Sequence, residues 1–79
     1  MVRVLLFGPL RDLAGWRERQ VDSPFLSALR ARLTDDDAAL GEALTGKGVQ
    51  VALDQVIVRG DAPLSAATEV AFLPPMSGG

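Results

Sequence analysis

The sequence predicts a mixed α+β domain, a small sheet covered on one face by one main helix. Three observations lead there. Short β-branched and apolar runs open and close the chain, and leucines at helical spacing occupy a stretch before its middle. The 79 residues leave room for one hydrophobic core and no second.

The elements come in order along the chain. Val2 to Phe7 is apolar and β-branched, and Gly8-Pro9 stops it, so it reads as the first strand. Leu10 to Ala14 is a short helical turn closed by Gly15, a residue suited to the left-handed C-cap. Arg17 to Val21 is polar and extended, an edge strand whose charges discourage edge-to-edge pairing. Asp22-Ser23-Pro24 predicts a helix start, with Ser23 or Asp22 as N-cap and Pro24 at the first helical position. Leu26, Leu29 and Leu33 then form an apolar stripe with Phe25 beside it, and Arg30 and Arg32 fall on the outer side.

Thr34 to Asp37 supplies cap candidates for a second short helix carrying Leu40 and Leu44. Gly46-Lys47-Gly48 is a loop without the spacing of a phosphate-binding loop. Val49 to Leu53 and Val56 to Arg59 are short strands around Asp54-Gln55, and Gly60 to Pro63 is a turn. Val70 to Leu73 is the last strand, ended by Pro74-Pro75 because proline cannot donate to a ladder. This order suits a β-grasp fold with a mixed sheet of four to five strands. A ferredoxin-like fold competes, but it needs a second substantial helix near the C-terminus, where this sequence has none.

Composition excludes several functions. Eight Lys plus Arg against ten Asp plus Glu give a net charge of −2, which argues against nucleic acid and gives no support to electrostatic membrane binding. With no Cys and no His, thiol and imidazole catalysis, disulfides and Cys/His zinc sites are removed. No apolar run approaches the roughly 20 residues of a membrane span. The apolar stretch after Arg3 is too short for a signal peptide and meets Pro9, Arg11 and Asp12, so a cytoplasmic location is expected.

Hydrophobic residues nevertheless make up 48% of the chain. A domain of this size buries only roughly 60% of what its unfolded chain exposes, so apolar side chains must remain outside the core. Strand parity says where. Val2, Val4 and Leu6 share one face and Arg3, Leu5 and Phe7 the other; Val56 and Val58 oppose Ile57 and Arg59; Val70 and Phe72 oppose Ala71 and Leu73. The uncharged face should meet the helix. The other face then carries Phe7, Ile57 and Leu73, with Leu5 nearby and Arg3 and Arg59 at the margin. An apolar centre with an arginine rim has the anatomy of a protein interface.

Residues 1–75 are expected to form the domain and residues 76–79 a flexible tail. The segment Pro74-Pro75-Met76-Ser77-Gly78-Gly79 comes after the last strand, and Leu73 to Gly79 could reach about 23 Å if extended. Two residues without side chains can enter a narrow channel and present a carboxylate to chemistry inside another protein. A carboxylate is a poor electrophile, so any joining reaction requires activation from outside.

The chain resembles the MoaD family, the small sulfur-carrier subunits of molybdopterin synthase. The likeness is strongest in Val2 to Phe7, in Leu10-Arg11-Asp12-Leu13-Ala14-Gly15, and from Glu69 through the double proline to Gly78-Gly79. The resemblance implies a ubiquitin-like β-grasp fold and a subunit without catalytic residues or bound cofactor of its own. A partner adenylating enzyme (ubiquitin-activating-like, of the MoeB type) would use ATP to make an acyl-adenylate at Gly79, and sulfur delivered to it would give a thiocarboxylate. The tail would then enter the large synthase subunit (of the MoaE type), in a heterotetramer of two small and two large subunits. There the sulfur passes to cyclic pyranopterin monophosphate, twice per pterin.

Carried over by position, Gly79 bears the sulfur and Gly78 clears the channel beside it. Phe7, Ile57 and Leu73 fall where the family places its partner surface, and Arg11 matches an arginine that contacts the activating enzyme. Arg11 could equally be a helix-surface arginine. Two departures concern partner fit: Ser65 to Thr68 replaces a turn often rich in Asp and Gly, and Leu73 stands where an aromatic often sits. A carrier for thiamine thiazole synthesis of the ThiS type and a ubiquitin-like modifier forming isopeptide bonds share the tail chemistry and stay open as alternatives. Trp16 reads as a lid over the core, and Asp35 to Asp37 as a helix cap.

Overall fold

The computed structural model describes residues 1–75. Eight elements succeed one another: β1 (Val2–Leu6), α1 (Pro9–Ala14), β2 (Glu18–Val21), α2 (Leu26–Asp36), α3 (Ala38–Leu44), β3 (Gln50–Leu53), β4 (Val56–Val58) and β5 (Glu69–Leu73). The strands form one mixed sheet in the order β2-β1-β5-β3-β4. β1 and β5 run parallel at its centre, and every other pair is antiparallel. This is the β-grasp arrangement.

Alternation along the strands separates two faces. Val2, Val4, Leu6, Val51, Val70 and Phe72 turn inward and are buried, and α2 lays Leu26, Leu29 and Leu33 against them. α3 adds Leu40 and Leu44, and Trp16 packs half-buried on the same cluster as the expected lid. Each such side chain, fully removed from water, stabilises the fold by roughly 1.5–3 kcal/mol. Gly15 closes α1 in the left-handed conformation at φ 82°, its N–H donating to the Arg11 carbonyl. The β3–β4 connection is the two-residue turn Asp54-Gln55, both with positive φ, a geometry that matches the twist of a hairpin.

The second short helix starts as the acidic run predicts. Asp37 ends α2 and caps α3, its side chain accepting from the Leu40 N–H at 3.1 Å. Gly41 is buried where the two helices cross: a Cβ there would lie 2.7 Å from Thr34 Cα, so only glycine permits the approach.

Three expectations are corrected. The main helix does not begin at Ser23-Pro24. Phe25, extended at φ −140°, is its N-cap and supplies no side-chain cap. Residues 24–25 are held extended by the Leu64 N–H donating to the Pro24 carbonyl (2.8 Å) and by a bridge between Phe25 and Pro63. Phe25, expected beside the apolar stripe, consequently stands 49% exposed. The orphan amides at the helix start are satisfied from far along the chain. Asp61 accepts from the Ser27 N–H and the Ser27 hydroxyl, each at 2.8 Å, and the Ala62 carbonyl accepts from the Leu26 N–H at 2.9 Å.

Val56 is not covered. β4 is a three-residue edge strand, and while Val58 opposite Val51 is drawn half under the core, Val56 opposite Leu53 stays 64% exposed. Arg30 does not point freely outward either. Its guanidinium lies 5.8 Å from the centroid of the Phe72 ring, covering one end of the core.

Candidate functional site

The face of the sheet away from the helices is built by register. One row crosses all five strands as Glu18, Leu5, Ala71, Ala52 and Ile57. One step along, Gln50 pairs with Leu73, and the pairing of Leu6 with Phe72 carries Phe7 toward Leu73. The floor is low because Ala52 and Ala71 have only methyl side chains. The walls are Leu5 and Phe7 on one side and Ile57 on the other. Sequence parity brought Phe7, Ile57 and Leu73 to this face, and the structure places them there: Phe7 is 44% and Ile57 45% exposed, and Leu73 is half-buried. The two alanines were missed as its floor, although their parity, opposite to Val51, Val70 and Phe72, is the signal that finds them.

Arg11 is exposed on α1. With Leu5, Phe7, Arg17 and Glu18 it lines a shallow cleft of about 230 Å³ at the β1 side of the face. Arg3 is already engaged: its guanidinium meets Glu18 at 3.1 Å and Glu69 at 3.5 Å. The margin there is therefore an ion-pair cluster of one arginine and two glutamates, not a free cation. Arg59 is exposed at the opposite side.

Topology brings the end of β5 to this surface. Because β5 is parallel to β1 and antiparallel to β3, it leaves the sheet beside the end of β1 and the start of β3. Pro74 is half-buried and Pro75 exposed. The remaining candidate residues, Met76, Ser77, Gly78 and Gly79, lie outside the described residues.

Elsewhere the chemistry is structural. The Asp61 carboxyl is held below its ordinary pKa first by the Ser27 backbone N–H and then by the Ser27 hydroxyl. It is the cap of α2. The described residues contain no group of three acids that could hold a metal ion. No described helix is long and apolar enough to cross a membrane.

The described chain thus has an apolar sheet face with Pro74 and Pro75 at its rim. The model of the ThiS family matches residues 4–79. The chain belongs to the ThiS family. This ThiS-family chain is 36% identical, over the full length of both, to the molybdopterin synthase sulfur carrier subunit of Escherichia coli. Its fold superposes on the solution structure of small archaeal modifier protein 1 from Methanosarcina acetivorans with a TM-score of 0.86, at 26% identity, covering 99% of this chain and 95% of that one. It is also similar, at a TM-score of 0.74 and 25% identity over 99% and 97% of the two chains, to a chain in the complex of subunits 1 and 2 of the molybdopterin-converting factor from Helicobacter pylori. The sequence resemblance to sulfur carriers and the β-grasp expectation both agree with these matches.

Proposed function

We propose that this chain is the sulfur carrier subunit of a cytoplasmic molybdopterin synthase, a substrate and carrier with no catalytic residues of its own. The observation that carries the reading is full-length identity of 36% to such a subunit, in a fold whose C-terminal segment leaves at the rim of an open apolar face.

In this reading the Gly79 carboxylate attacks the α-phosphorus of ATP on an adenylating partner, releasing pyrophosphate. A sulfide-level sulfur nucleophile from a donor then displaces AMP, and the product is a thiocarboxylate. Its softer, more nucleophilic sulfur suits attack on a pterin carbon within a large subunit, expelling an oxygen leaving group. Water then cleaves the resulting thioester, leaving the sulfur on the pterin as a thiol and returning the carboxylate for another cycle. Phe7, Ile57 and Leu73 dock the large subunit, and two carriers and two large subunits make the assembly. The molybdopterin-converting factor complex of H. pylori, which joins a similar chain to a second subunit, supports a partner of that kind. Arg11, beside Phe7, is assigned to the adenylating partner, and Gly78 to clearance next to the reacting end.

A second reading, a modifier joined to lysines of other proteins, is favoured by the close superposition on the archaeal modifier. Intact-mass spectrometry of the protein from its native host separates the two. A species heavier by the difference between sulfur and oxygen is expected for the carrier. Isopeptide links from Gly79 to lysines of other proteins, without that species, would establish the modifier instead.

A further inference from the structure

Pro74 and Pro75 pass between two glycines, one in each loop that flanks the end of β5. Gly8 lies just after β1 and Gly48 just before β3, the two neighbours of β5 in the sheet. A Cβ on Gly8 would lie 3.2 Å from Pro74 Cγ. One on Gly48 would lie 2.8 Å from Pro75 Cβ, closer than packed atoms tolerate. The obstructed atoms belong to a ring fused to the backbone, so they cannot swing aside as the end of a long side chain would.

We propose that Gly8 and Gly48 are positioning residues, a saddle that seats Pro74-Pro75 and sets the direction in which the C-terminal segment leaves the sheet. As a statement about sulfur transfer, this rests on the carrier reading above; as a statement about direction, it does not. The physical reason is leverage. Proline fixes its own φ, so a push on either ring shifts the backbone from which the following residues continue. Gly79 lies four positions beyond Pro75, a reach of at most about 13 Å. A tilt of about 15° at the base would displace the far end of such a reach by about 3 Å, and a misplacement of about 1 Å can slow a reaction on the order of 100-fold.

The molecule supplies its own control. Gly48 and Gly60 both have positive φ, 89° and 80°, but Gly60 has nothing within 4 Å of its absent Cβ. Gly60→Ala therefore imposes backbone strain alone, whereas Gly48→Ala imposes strain and the collision with Pro75. The test compares wild type and both variants by two measurements. The first places a nitroxide on Ser77→Cys, a unique thiol because the chain has no cysteine, and reads paramagnetic broadening of the amides of residues 46–49. The second tracks single-turnover sulfur transfer by the unlabelled thiocarboxylated chains in complex with the large subunit, with the dissociation constant of the complex measured alongside.

The saddle requires Gly48→Ala to change the broadening of residues 46–49 and to slow transfer by roughly tenfold or more, with the dissociation constant changed less than about threefold. Gly60→Ala should match wild type in broadening and rate. Equal broadening patterns and rates in the two variants would overturn the proposal. If Gly48→Ala does not fold, Gly8→Ala carries the same test with a smaller displacement, and a wild-type pattern there would overturn it as well. Failure of the wild-type chain to transfer sulfur would instead remove the carrier reading, leaving the broadening to judge the saddle.

Discussion

The two faces of the sheet come from the same strands and do opposite work. On β5, Val70 and Phe72 face the helices and are fully buried, while Ala71 and Leu73 face away. The inner face is filled with large aliphatic and aromatic groups interlocked with α2 and α3. The outer face is shallow, walled by Leu5, Phe7 and Ile57, and no element of the described chain lies over it. Alternation thus lets a five-residue strand hold the core together on one side and leave a shallow apolar surface on the other. Stability and partner binding should consequently respond to different substitutions.

The largest effect on stability should come from the inner face. Leu29→Ala removes a side chain with no exposed surface and should lower unfolding free energy by about 2–5 kcal/mol, measured by urea denaturation. If it did so no more than an outer-face variant, the separation of roles would fail. On the outer face, Ile57→Arg, or Phe7→Arg, should weaken binding to the large subunit by about 2 kcal/mol or more, on the order of 30-fold, in isothermal calorimetry. Because both side chains are already nearly half exposed, the denaturation midpoint should move by no more than about 0.5 kcal/mol equivalent. A variant that unfolds before it loses its partner would show that the outer face also belongs to the core.

The smallest effect concerns the Asp61 cap. Its folded pKa lies below the ordinary value of 3.8, so its contribution to stability is complete above that value and fades as pH falls through the folded pKa. Asp61→Asn should therefore flatten the acid limb of the stability curve below pH 3.8 and leave large-subunit binding at neutral pH unaltered. Denaturation midpoints across that range, beside those of wild type, measure it.

Local features were legible wherever the cause lies within a few residues. The Gly15 cap, the Asp37 cap and the termination of β5 at Pro74 depend on backbone preferences of neighbouring positions. The outer-face residues Phe7, Ile57 and Leu73 were legible because side-chain direction in a strand is a matter of counting. Counting failed for Val56, since parity names a face but not whether another element covers it. It failed also for the start of α2, whose cap is a carboxylate 34 positions away from Ser27, and a plausible Ser-Pro start concealed the need for one. The floor of Ala52 and Ala71 was overlooked because small side chains carry little hydrophobic signal. The glycines opposite Pro74 and Pro75 could not be paired with them before the strand order was known.

By itself, then, the order of residues determined most of the elements and the two-sidedness of the strands, because each arises from rotational preference and side-chain size along the chain. Only the tertiary structure decided that β5 lies between β1 and β3. That adjacency joins the two halves of the apolar face and brings Gly8 and Gly48 to the prolines. Contacts of this kind come from packing between distant segments, and no local preference encodes them.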